Sequence, residues 1–163
     1  MLAPALLALA AAAPASPEAL EQKRADIARE ILQLAGRIQR EIEASDAAAL
    51  LARVPPGGIR CGGQVVPRQR VEHDLLASDS WLHAVFFGGP AASAPPGQPA
   101  SLKELFAVAK EIQVVVAFRA DPRSEIGLPC FDYRVRDTIT PGAPLCFERH
   151  DGKWWFAQSL YPC

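Results

Sequence analysis

LCFERHDGKWWFAQ, residues 145–158, holds two apolar-rich runs on either side of Asp151-Gly152. An Asp-Gly pair between such runs predicts a β-hairpin with a two-residue turn. The turn also sets the register, because side chains alternate between the two faces of a strand. Phe147 then faces Phe156 and Arg149 faces Trp154 on one side, while Cys146, Glu148, Trp155 and Ala157 lie on the other. This reading places Trp154 and Phe156 in the core and Trp155 on the opposite face.

Upstream, Phe131, Tyr133 and Val135 alternate with Asp132, Arg134 and Arg136, the pattern of a half-buried strand. Ile112–Arg119, rich in Val and Phe, reads as another strand that Asp121-Pro122 breaks. Residues 112–160 are therefore the sheet region. All twelve aromatic residues lie after residue 80, so the heavy core side chains belong to the second half of the chain.

The first half reads as helical over 16–54. Ser16-Pro17-Glu18 has the cap, first-turn proline and acidic residue of a helix start. Leu20, Ile27, Ile31, Leu34, Ile38 and Ile42 follow in steps that place them on one stripe. The stripe predicts a long helix packed on its own domain. The sharper alternative is a homodimer through residues 20–42, for which there are few heptads. A short helix is expected over Ala47–Arg53, ended by Pro55-Pro56-Gly57-Gly58. Ile59–Cys61 and Gln64–Val66 around Gly62-Gly63 suggest a small hairpin, and Arg68–Ala77 a helix. The run Trp81, Leu82, Val85, Phe86 fits a helix or a buried strand equally. Residues 88–100 form a Pro/Gly/Ala loop, after which Ser101-Leu102-Lys103-Glu104 is a capping box.

The expected architecture is α+β: N-terminal helices, then an antiparallel sheet of about four strands with helices mainly on one face, stapled by disulfides. The hairpin with Asp-Gly-Lys-Trp at its turn resembles a strand pair found in several small sheet folds, the curved sheet of nuclear transport factor 2 among them. That likeness covers one hairpin and implies no family.

The compartment is read from two features. Residues 1–15, MLAPALLALAAAAPA, carry an apolar run too short for a bilayer but of signal-peptide length. Ala13-Pro14-Ala15 follows as a small-x-small cleavage pattern, although no basic side chain precedes the run. Four widely spaced cysteines, Cys61, Cys130, Cys146 and Cys163, agree with an oxidising compartment and two disulfides. Three pairings exist, and Cys130–Cys146 with Cys61–Cys163 is preferred: the first closes a short loop in the sheet region, the second ties down the C-terminus. The expectation is an exported protein, periplasmic or extracellular, with 1–15 removed and 16–163 a single domain. No stable membrane insertion is expected. The Arg excess, 13 Arg against 4 Lys, reads as the compositional bias of a GC-rich genome.

Few residues suggest chemistry. A net charge of −1 lowers the case for nucleic acid. His73, His83 and His150 lack metal-ligand spacing. No glycine pair is followed by Lys-Ser or Lys-Thr, and no G-x-S-x-G occurs, so neither cofactor nor catalytic residue is assigned. Glu125, Asp132, Asp137 and Glu148 are too loosely patterned to argue for glycoside chemistry. The best constellation is the outer sheet face, where Asp132, Arg134, Arg136, Glu148 and Trp155 share a side. It suits a protein or carbohydrate partner of the cell envelope or medium. The leading expectation is thus a non-catalytic exported binding protein. The alternatives are an exported hydrolase with dispersed residues, signalled by His73 or His83 in a cleft with a carboxylate and a hydroxyl, and a helix-mediated assembly protein.

Overall fold

The structure is a computed structural model that describes residues 16–158, 160 and 161. Helix α1 (Pro17–Glu43) starts where Ser16 accepts from the Ala19 N–H, and α2 (Ala47–Leu51) starts at the corresponding Asp46 cap. The hairpin β1 (Ile59–Cys61) and β2 (Gln64–Val66) follows. Then come α3 (Arg68–Leu76), α4 (Trp81–Phe87) and α5 (Leu102–Val108). The ambiguous run at Trp81 is thus a helix, started by the Ser80 side chain. Ser101 and Glu104 form the expected N-terminal cap of α5, with Glu104 reaching back to the Ala100 N–H.

A four-stranded antiparallel meander completes the chain: β3 (Gln113–Asp121), β4 (Ser124–Arg134), β5 (Leu145–His150) and β6 (Lys153–Gln158). The β5–β6 register is the one the turn predicts, with Phe147 opposite Phe156 and Glu148 opposite Trp155. Asp151 and Gly152 both have positive φ, 52° and 74°, as a hairpin turn matched to strand twist requires.

The core lies between one sheet face and the helices. Ile31, Leu34, Ile38 and Ile42 of α1 are buried with Phe131, Tyr133, Phe147 and Phe156 of the sheet and with Leu82, Phe86 and Leu105. Each such aliphatic side chain contributes about 2 kcal/mol relative to exposure. Tyr133 also donates its hydroxyl to the Ala35 carbonyl at 2.6 Å, and burial pushes its ionisation far above the ordinary tyrosine range. The helical stripe is therefore spent inside its own chain from Ile31 onward. A dimer built on residues 20–42 would have to compete with that packing.

Three sequence expectations need correction. β4 begins at Ser124, seven residues before the alternation at Phe131 reveals it, because Gly127 and Pro129 disguise the start. Arg119 pairs with Leu128 and Asp121 with Ser124, so Ala120 of β3 faces Glu125, Ile126 and Gly127 of β4 in a bulge. Trp154 is half-buried at the core margin, where its indole N–H donates to Glu30 at 3.0 Å. Arg149, across from it, reaches the same Glu30 carboxylate at 3.1 Å. The β5–β6 register holds from Phe147 to His150, but a bulge sets Gln158 rather than Ala157 opposite Cys146, while Ala157 keeps the expected face in a small buried cluster with Leu128, Cys130 and Cys146.

Cys130 and Cys146 form the expected disulfide. Their separation of 16 residues makes the closed loop worth about 3 kcal/mol in the chain-entropy model. Cys61 is also disulfide-bonded. The expected partner Cys163 and the leader 1–15 lie outside the described residues.

Gly127 carries a φ of 82°, and a Cβ there would meet the Arg119 carbonyl oxygen at 2.5 Å. Gly127→Ala is expected to cost about 2 kcal/mol or more, measured as a lower urea midpoint with the same slope. An unchanged midpoint would mean that the bulge relaxes freely.

Candidate functional site

The most structured opening is a cleft where β4 and β5 part, and one residue accounts for it. Cys130 and Cys146 are directly opposite with Cα atoms 3.9 Å apart. That close spacing marks a pair whose main-chain groups point away from each other. The hydrogen-bonding positions are then the flanking pairs. Phe131 and Leu145 fill one flank. On the other flank the position falls to Pro129 and Phe147, and proline has no N–H to give. The ladder ends there, and the bulge at 125–127 bends β4 further away.

The resulting cleft has a volume of about 580 Å³, within the range of ligand sites. Ile27 from α1, Leu128, Phe147 and Trp154 give it apolar walls, and Lys23, Asp121, Arg123, Glu148, Arg149 and His150 give it a charged rim. Glu148 organises that rim. It takes ion pairs from Arg60 of the β1 strand and from Arg123 at 2.9 Å, and the His150 Nε2 lies 3.1 Å from it. Arg123 also holds Asp121 at 2.6 Å. One carboxylate thus joins the small hairpin, the β3–β4 turn and the end of β5.

The five residues singled out on the outer face do not form one surface. Glu148 and Trp155 are cross-strand neighbours. Asp132 and Arg134 form an ion pair at 3.4 Å, but they continue past Cys130 in the direction opposite to Glu148. Along the strands Asp132 stands about 13 Å and Arg134 about 20 Å from the level of Glu148, at roughly 3.3 Å per residue. Arg134 and Arg136 instead line a separate hollow with Glu111 and Gln113. The separation follows from the antiparallel direction of β5, which parity alone does not reveal. Trp155 is half-buried, and the Lys153 ammonium lies 3.9 Å from its ring centroid. Arg149 is placed likewise over Trp154, at 5.6 Å. Each indole therefore has a cation on one face.

Sequence reasoning missed the cleft because it assigned Ser124–Pro129 to no strand. The usable signal was Pro129 one position before a cysteine that pairs across the sheet.

The histidines are spread out. His73 is exposed and lies 3.1 Å from the Asp74 carboxylate, which also accepts from Arg70 at 2.8 Å and from the Tyr161 hydroxyl at 3.1 Å. Burial raises the Asp74 pKa, but the hydrogen bonds from His73, Arg70 and Tyr161 outweigh it and hold the group below the ordinary aspartate value. This cluster fastens the C-terminal segment to α3, and the hydroxyl bonds the carboxylate rather than the imidazole. His83 is half-buried with Nδ1 2.7 Å from the Leu75 carbonyl, so that nitrogen carries the proton. Among the described residues no group of three or more His, Cys, Asp or Glu side chains is placed to hold a metal. No helix among them is long and apolar enough to cross a membrane.

No family model, curated protein or solved structure matches the chain. The likeness of its last hairpin to other small sheet folds gains nothing from these comparisons.

Two outcomes test this account. Pro129→Ala supplies the missing donor, so the β4–β5 ladder should extend and the amides of residues 129 and 147 should exchange slowly with solvent. Fast exchange at both would show that proline does not set the opening. For Asp74, a folded-state pKa below the unfolded one gives stability that is present above the unfolded value and lost as pH falls through the folded one. Asp74→Asn should therefore lower stability at neutral pH and flatten the acid limb of the urea-midpoint profile. Equal losses at all pH values would contradict the assignment.

Proposed function

We propose that this chain is an exported, disulfide-braced binding protein without catalytic machinery, and that the β4–β5 cleft receives an extended segment of a protein partner. The observation that carries the reading is the cleft itself. Facing strands that are not paired with each other over that stretch, apolar walls for alternate side chains and a charged rim suit an extended polypeptide. A carbohydrate is the less favoured occupant, since both tryptophan rings near the site already carry a cation on one face. Export is supported by the leader-like residues 1–15 and by the Cys130–Cys146 disulfide, which suits an oxidising compartment.

Neither histidine named as the signal of a hydrolase, His73 or His83, lines the cleft, although His150 does. His73 meets a carboxylate, but it is exposed and does not line the cleft.

The two halves of the proposal are tested separately. The unreduced mass of the native protein, taken from each cell fraction, should lack the leader and the four hydrogens that two disulfides remove. A full-length reduced chain in the cytosol would overturn export. A photoreactive side chain at Lys23, on the cleft rim, should crosslink to a protein partner in the exported fraction, whereas one at Arg134 should not. Adducts at both positions or at neither would remove the cleft as the binding site.

A further inference from the structure

The two edges of the sheet are treated differently. Beyond β6 lies the β1 strand, and the Phe156 N–H is already used by the Arg53 carbonyl at 2.9 Å. At the other side β3 is the terminal strand, with no strand paired beyond it among the described residues. An exposed edge is a template for another chain, and proteins usually blunt it with proline, lysine, charge or a bulge on the edge strand. Residues 113–118, QVVVAF, carry none of the first three, and the bulge in this pair lies on β4.

The direction of the edge groups follows from the disulfide. Cys130 turns its main-chain groups away from Cys146 and toward its β3 partner Ala117. Alternation then has Gln113, Val115 and Ala117 bonding β4. Val114, Val116 and Phe118 point their N–H and C=O groups outward. The same three side chains lie half-buried on the core side, with Val114 and Val116 packed against the core cluster.

We propose that two copies of this chain form a two-fold dimer by pairing their β3 edges antiparallel, centred on Val115. In this register Val114 pairs with Val116 of the second copy, and Ile112 with Phe118. Glu111 stands opposite Arg119 twice, once on each side of the axis. Charge selects this alignment. A two-fold centred one residue on, at Val116, keeps the outward groups matched but sets Glu111 against Asp121 twice. Glu111 and Arg119 bracket the uncharged run 112–118, so they are the charges nearest the axis on either side. The axis runs perpendicular to the sheet, so both copies keep their helices on the same face. The four-stranded sheets join into one of eight strands with a continuous core-side row. Unlike a dimer through α1, this one uses no side chain of the buried helical stripe.

Sedimentation velocity on the native, disulfide-intact protein tests the proposal. The mass should rise with concentration from that of one chain to that of two. Val116→Pro removes an outward N–H and nothing from the β3–β4 ladder, so it should hold the protein at one-chain mass. Glu111→Arg should do the same, and Glu111→Arg combined with Arg119→Glu should restore the dimer. Should Val116→Pro fail to fold, the charge exchange decides. Under oxidation Val115→Cys should crosslink two chains at the axis. Ala117→Cys should not, because its copies would stand about 13 Å apart at roughly 3.3 Å per residue. A one-chain mass at every concentration would overturn the proposal. So would a dimer that survives Glu111→Arg, or crosslinking by Ala117→Cys equal to that of Val115→Cys.

Discussion

β4 and β5 touch as strands over two residue pairs, and the covalent bond between Cys130 and Cys146 sits in one of them. Much else depends on that short junction. It holds the β5–β6 hairpin against the rest of the sheet, which places Phe147 and Phe156 beside Phe131 in one aromatic row, Phe147 stacked on Phe131 and tilted against Phe156. It also fixes which main-chain groups face which neighbour, through the close spacing of the cysteine pair. Where the junction ends, at a proline, the sheet opens. The same local geometry thus accounts for the best-packed part of the core and for the cleft beside it.

The helical layer completes what the junction leaves loose. α1 packs on the sheet, and its second half covers the core-side face with branched aliphatic side chains. Its first half works through polar contacts at the cleft end. Glu30 accepts from both Arg149 and Trp154, and Arg24 donates to the Ile126 carbonyl at 3.2 Å within the bulge. These bonds keep the splayed strands at a set separation. A nearly dry ion pair does similar work at the other end of the helix, where Arg53 meets Glu41 through two hydrogen bonds of 2.6 and 2.7 Å.

Elements with a strong local signal were legible in the sequence. Asp151-Gly152 specifies a turn whatever surrounds it, so the last hairpin and its facing residues follow directly. Ser16-Pro17 and the Ser101–Glu104 box mark helix starts through their own side chains. The elements that escaped are those set by distant partners. Ser124–Pro129 contains a glycine and a proline and becomes a strand only because β3 lies beside it. Trp154 is drawn to the core margin by Glu30, more than a hundred residues upstream. The expected outer surface divides into two groups for a related reason. Alternation tells which face a residue takes, but the direction in which the next strand runs decides how far apart two such residues stand.

The cross-strand bond also changes how the molecule would bear tension. Load carried along β4 passes from Cys130 to Cys146 through sulfur, and the backbone between them is bypassed. That segment holds Phe131, Tyr133 and the Thr140-Pro141-Gly142 turn. The separation of 16 residues, at about 3.4 Å each when extended, withholds roughly 50 Å of contour length until the bond is reduced. In the oxidised protein Phe131 and Tyr133 are therefore shielded from force carried along the chain.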